Sequence, residues 1–177
     1  MLKKYKKSIK ILIFLLFFLI LFYFIFLNFE KIQTFFISPN INISDDKIKS
    51  SVIRVVDGDT IILDVKGTEK RIRLIGLNTP EINNENIECF GLEATEKANY
   101  ILKTNSKVFL KYDYYREKKD KFGRHLGYIF LYDGQNFAEI MIRKGYGYEY
   151  TFRKKKYEYQ ELFKLTEEYA KKNNLGL

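Results

Sequence analysis

Residues 55–81 read VVDGDTIILDVKGTEKRIRLIGLNTPE, and this stretch decides the fold. Ser51 to Val56 and Thr60 to Val65 are β-branched runs separated by Asp57-Gly58-Asp59, a hairpin signal. Lys66-Gly67 marks a second turn. Arg71 to Leu74 then alternates Arg-Ile-Arg-Leu, which sets arginines on one strand face and aliphatics on the other. Further on, Lys107 to Tyr112 and Leu126 to Tyr132 read as two more strands, the second stopped by Asp133-Gly134. Ala94, Ala98, Ile101 and Leu102 have helical spacing, as do Phe137, Ile140 and Met141 before a stop at Gly145. Tyr159, Leu162, Phe163, Tyr169 and Ala170 give a third amphipathic helix. Three strands, a helix, two strands and two helices predict an α+β domain. A small five-stranded barrel of the OB type closes that strand set.

Before this domain lies a different kind of sequence. Ile11 to Leu27, ILIFLLFFLILFYFIFL, has no polar group except the Tyr23 hydroxyl. As a helix it spans about 26 Å, and flanking residues extend it toward the roughly 30 Å of a hydrocarbon core. Lys3, Lys4, Lys6, Lys7 and Lys10 precede it and favour a cytoplasmic N-terminus with the rest exported. The following NFEKIQTFFIS offers no small-residue cleavage site, so an uncleaved transmembrane anchor over 11–29 is the expectation, behind a basic end over 1–10. Secretion after cleavage is the alternative. Residues 30–49, with Pro39 and a Ser-Asp-Asp run, read as a linker, and the domain as 50–177.

Composition narrows the chemistry. The 177-residue chain carries a formal net charge of +9, and from Ile48 onward it has 24 Lys and Arg against 19 Asp and Glu. That excess permits a polyanionic partner. Cys89 is the only cysteine, so no intrachain disulfide forms, and it reads as a small packed residue. His125 is the only histidine and reads as a surface residue. Zinc sites of the Cys/His type and mechanisms needing two histidines are excluded. Hydrolysis must rely on carboxylates, arginines and a hard metal ion.

Such residues fall in three clusters: VVDGDT (55–60), RIRLIGLNTPE (71–81) and DKFGR (120–124). Taken singly, each also reads as an ordinary turn or an edge strand with solvated arginines. Their order and spacing together resemble the staphylococcal nuclease (thermonuclease) family, from about Val52 to Gly176. Phe90 to Ala94 (FGLEA) and Arg143 to Gly145 belong to the same resemblance.

The resemblance implies a calcium-dependent endonuclease that acts on DNA and possible RNA substrates, breaks the bond to the 5′ oxygen and leaves 3′-phosphates. It implies that Asp59, Asn78 and the Thr79 carbonyl ligate Ca2+, with Asp57 just behind. Glu81 would orient or deprotonate the attacking water, Arg73 and Arg124 would hold the scissile phosphate, and Lys121 would lie near a terminal phosphate. Two guanidiniums grip phosphate oxygens with paired hydrogen bonds that lysine does not copy. Asn78 departs from the aspartate that the family often has, which leaves one formal charge on the metal and predicts weak binding, in the range of about 10⁻⁴ to 10⁻³ M.

The family's base-stacking tyrosines fall by simple counting on Thr151 and Arg153. Tyr150 is the candidate substitute for stacking on a base, while Tyr148 and Phe152 read as packing. Residues 82–88, INNENIE, read as a mobile surface loop. The expected protein is a monomer, anchored in the membrane with an extracytoplasmic catalytic domain. Two other classes remain open: a non-catalytic OB-type module that binds single-stranded nucleic acid, and a tethered interaction protein with no nucleic-acid affinity.

Overall fold

The computed structural model describes residues 14–20, 23, 46–83 and 86–177, with the side chains of Asn83 and Asn86 left out. The chain divides into two compact units, Met1–Asn42 and Ile43–Leu177. In the first, residues 14–20 are helical. Among the described residues no helix is long and apolar enough to cross a membrane. Most of the span expected over 11–29, the basic end and most of the linker lie outside the described residues.

The second unit is built on a closed barrel of five strands. β1 (Ile48–Val55), β2 (Thr60–Val65) and β3 (Thr68–Leu74) form a meander, so the linker expected over 30–49 overruns the first two residues of β1. β7 (Lys107–Lys111) and β8 (His125–Phe130) complete the barrel, in the order β1-β2-β3-β8-β7. β3 and β8 run parallel, with Ile72 opposite His125. The other seams are antiparallel, and β1 carries a bulge between Val52 and Arg54. Leu63, Ile72, Leu110 and Ile129 are completely buried. Each such side chain contributes about 1.5–3 kcal/mol on leaving water.

Three helices dress the barrel: α1 (Gly91–Ile101), α2 (Phe137–Arg143) and α3 (Gln160–Lys172). Asn136 opens α2, its side chain accepting from the backbone N–H groups of Ala138 and Glu139, as a helix N-cap does. Asp113 holds the entry to α3. Its carboxylate accepts hydrogen bonds from the Tyr128 hydroxyl and from the Glu158 backbone N–H.

Two short pairings have no counterpart in the sequence pattern. β4 (Gly76–Asn78) pairs antiparallel with β9 (Tyr148–Tyr150), and β5 (Ile82–Asn83) with β6 (Asn86–Ile87). The stretch expected as a loop is therefore a small hairpin, tied down where the Glu88 N–H donates to the Glu81 carbonyl.

Gly76 lets β4 sit against α3. Its φ is +78°, and a Cβ there would come within 2.6 Å of the Tyr157 ring and 2.7 Å of the Phe163 ring. Both rings are buried, so neither moves freely. Gly76→Ala is expected to destabilise the fold by about 2 kcal/mol or more, combining left-handed strain with overpacking. Urea unfolding checks this; a change below about 0.5 kcal/mol would contradict it.

Candidate active site

The Asp57-Gly58-Asp59-Thr60 turn lies where β1 hands over to β2. Asp57 Oδ1 accepts from the Asp59 N–H at 3.0 Å, which shapes the turn. Gly58 is required here because a Cβ would meet the Thr79 side chain at 2.6 Å. The Asp59 backbone carbonyl accepts from Leu74 N–H at 2.9 Å, so its side chain is delivered beside the end of β3.

That side chain is almost fully buried and fully partnered. Oδ1 accepts from the Thr60 hydroxyl at 3.0 Å. Oδ2 accepts from the Thr79 N–H at 3.2 Å and from Arg73 Nη2 at 2.9 Å. Burial pushes the Asp59 carboxyl up to about 7. The Arg73 charge opposes that push, Asp57 adds to it, and the Thr79 and Thr60 donors favour the ionised form.

Arg73 is turned inward. Besides Asp59, its Nη1 donates to the Leu74 carbonyl at 2.8 Å and the Leu77 carbonyl at 2.7 Å. Its Nη2 also donates to Asn78 Oδ1 at 2.9 Å. The guanidinium side chain is only 12% exposed. Asn78 completes the set by donating from Nδ2 to the Tyr148 hydroxyl at 2.7 Å, across the β4–β9 pair that sets these two residues opposite each other. The amide oxygen must face Arg73, because a guanidinium only donates.

Asp59, Arg73, Asn78 and Thr79 are thus brought together by direct contacts. Among the described residues, Glu81, Arg124 and Lys121 make their side-chain contacts outside this group. Glu81 is exposed, and its backbone N–H donates to Glu88 Oε2 at 2.8 Å. Among the described residues no hydrogen bond or ion pair joins the Glu81 carboxylate to the four. Arg124 lies on a separate turn, where its Nε donates to Asp120 Oδ2 at 2.7 Å. Asp120 Oδ1 also accepts from the N–H groups of Phe122 and Arg124. Burial pushes the Asp120 carboxyl up, but these bonds outweigh it and hold it below the usual carboxylate range. Lys121 is exposed, with Nζ 4.8 Å from the Phe122 ring centroid.

Several expectations need correction. Tyr148, read as packing, reaches the polar group through its hydroxyl, while Tyr150 pairs with Gly76 and lies exposed beside Phe152. Only the strand pairing reveals this, because nothing at Tyr148 itself signals it. Cys89, read as packed, is exposed. His125, read as a surface residue, is half-buried and shares a 2.9 Å hydrogen bond with the Tyr112 hydroxyl. Burial lowers the His125 pKa, and Lys70 and Lys119 lower it further.

The donor set around Asp59 is all oxygen, which suits a hard divalent cation. Among the described residues no three His, Cys, Asp or Glu side chains cluster as a metal site. The oxygens of Asp59 and Asn78 already face one internal cation, Arg73, and a metal ion would have to exchange with it.

Comparison with known proteins identifies what the chain is similar to. The family model described as staphylococcal nuclease homologue matches residues 71–177. A thermonuclease of Staphylococcus hyicus is 38% identical over 123 residues, which is 68% of this chain and 70% of that protein. A thermonuclease of Staphylococcus intermedius is 48% identical over 84 residues, 46% of this chain and 48% of its own. Endonuclease YncB of Bacillus subtilis is 29% identical over 126 residues, 70% of this chain and 58% of its own.

The two arginines should respond differently to substitution. Arg73→Gln leaves a buried carboxylate without its counter-charge and is expected to cost about 3–5 kcal/mol in urea unfolding at neutral pH. Arg124→Gln breaks a partly exposed pair and should cost less than about 1 kcal/mol. Equal costs would contradict the inward placement of Arg73.

Proposed function

This chain belongs to the staphylococcal nuclease homologue family, and on that premise we propose that it is a calcium-dependent endonuclease hydrolysing phosphodiester bonds of DNA and of RNA. The observation that carries the reading is the Asp59 carboxylate, bonded to Thr79 N–H two residues before an exposed Glu81. That bond docks the short segment carrying Glu81 against the turn carrying the buried Asp59. Asp59, Asn78 and the Thr79 carbonyl would hold the cation. When bound, calcium supplies Lewis-acid stabilisation of the phosphate oxygens. The Glu81 carboxylate accepts the proton of the attacking water, help worth about 10² to 10⁴ in rate. Arg124, whose Nε is engaged by Asp120, keeps its outer Nη groups for the phosphate. The bond to the 5′ oxygen breaks, and a 3′-phosphate remains.

Location is part of the same proposal. The lysine cluster before Ile11 and the apolar run to Leu27 support a membrane anchor with the nuclease domain outside the cytoplasm. Millimolar calcium suits that setting, because Asn78 brings no charge and Arg73 already faces the ligating oxygens. The competing reading is a non-catalytic module that binds single-stranded nucleic acid. The neutralisation of Asp59 by Arg73 is the observation that favours it.

Plasmid and RNA cleavage by the full chain in detergent, with calcium titrated against chelator, separates the two. The expected outcome is cleavage saturating at about 10⁻⁴ to 10⁻³ M calcium, and a loss of about 10² or more with Glu81→Gln. Saturation at micromolar calcium would contradict the metal site. Binding without cleavage would replace the enzyme with the module.

A further inference from the structure

Among the described residues no hydrogen bond or ion pair holds the Glu81 carboxylate, so its aim must come from its backbone. That backbone lies at the open end of the β5–β6 hairpin. Ile82 pairs with Ile87, and the next rung outward sets Glu81 opposite Glu88. In a regular antiparallel rung two facing residues exchange both N–H···O=C bonds or neither. Here one of the two is regular: the Glu88 N–H donates to the Glu81 carbonyl at 3.0 Å. The reciprocal bond is not made. The Glu88 carbonyl instead accepts from the Gly91 N–H at 3.0 Å, at the start of α1. The Glu88 side chain takes its place, and its Oε2 accepts from the Glu81 N–H at 2.8 Å. A carboxylate thus stands in for the carbonyl of its own residue, and one residue holds both main-chain polar groups of Glu81.

The turn behind Glu88 is tightly fixed. Gly91 lies against the same backbone, where a Cβ would come within 3.0 Å of the Glu81 carbonyl oxygen and 3.3 Å of the Pro80 one. Phe90 has a φ of +69°, a left-handed conformation that is costly for an aromatic residue. Such strain persists only where the surroundings hold it, and here the Phe90 ring stacks on Tyr146 at 5.4 Å. On the other side of Glu81, Thr79 is docked on Asp59 and Pro80 fixes the backbone between them. Glu81 is therefore clamped from both directions, and Glu88 is the member of the clamp that acts through a side chain.

We propose that Glu88 is a positioning residue for the hydrolysis, aiming Glu81 by accepting its backbone N–H. The proposal rests on the reading of Glu81 as the acid that takes the proton of the attacking water. It adds what aims that acid. The role needs an acceptor oxygen at the reach of a glutamate and needs no charge, so glutamine fulfils it and alanine does not. A misplacement of about 1 Å at a reacting group costs on the order of 10²-fold in rate.

The test compares the full chain in detergent with Glu88→Ala and Glu88→Gln. Plasmid and labelled-oligonucleotide cleavage in calcium gives kcat and KM, and ¹⁵N relaxation gives the backbone order parameter of Glu81. Glu88→Ala is expected to lower kcat about 10- to 100-fold and to leave KM within twofold. Its Glu81 order parameter should fall from about 0.85 to below about 0.6. Glu88→Gln should stay within threefold of the parent in kcat and keep the order parameter. Glu88 is exposed and outside the barrel, so the urea midpoints of all three chains should coincide. A Glu88→Ala chain with parental kcat and order parameter overturns the proposal. So does a Glu88→Gln chain as impaired as Glu88→Ala, which would make the charge and not the bond responsible, or a lowered urea midpoint that accounts for the loss. A parent that cleaves nothing sinks the nuclease reading, while the order parameters still decide whether Glu88 holds Glu81.

Discussion

The rest of the site depends on the buried ion pair between Asp59 and Arg73, with oxygen and nitrogen 2.9 Å apart and the two side chains 3% and 12% exposed. A carboxylate withdrawn from water costs several kcal/mol unless it is paired and hydrogen-bonded. Here the partners come from the start of β2, the end of β3 and the residue after β4. One charge therefore pins three segments of chain. The pinning also dictates the β3–β4 turn, which must turn the Leu74 and Leu77 carbonyls toward the same guanidinium. Asn78 then has its oxygen facing in and its nitrogen facing out, and Tyr148 on β9 receives the outward one.

Much of this architecture is legible in the order of the residues. The five barrel strands follow from β-branched runs cut by Asp-Gly and Lys-Gly turns, and the three helices from their apolar spacing. Motif resemblance singles out Asp59, Asn78 and Thr79, and the fold does bring them together. What the residue order hides is non-local. β4 and β9 are three residues each, too short for a periodic signal, and their pairing joins positions some seventy residues apart. Tyr148 and Tyr150 are both partly exposed and differ mainly in which residue lies opposite across that pair. The fates of Arg71 and Arg73 are hidden for a related reason. Alternation assigns a face, while the direction a long side chain takes is set by acceptors elsewhere, here carbonyls of the next turn. Cys89 and His125 depart from expectation because composition carries no information about which neighbours cover a single residue.

The two arginines of β3 have different surroundings. Arg73 neutralises Asp59 and fixes Asn78, so it helps define the oxygen set that a cation would meet. Arg71 is exposed and lies next to Phe122 and Arg124 of the DKFGR turn. Glu81 lies on the segment that runs from buried Thr79 into the β5–β6 hairpin. Such a design makes a hard cation and an internal guanidinium alternatives for the same oxygens.

The inward placement of Arg73 is the claim on which this account turns, and nitrogen-detected NMR of the arginine side chains measures it directly. A guanidinium held by a carboxylate, an amide oxygen and two carbonyls cannot rotate freely. Arg73 is expected to show separate, slowly exchanging Nη resonances, which collapse in Asp59→Asn, while Arg71 shows one averaged signal. An averaged Nη signal for Arg73 in the unaltered chain would contradict the account.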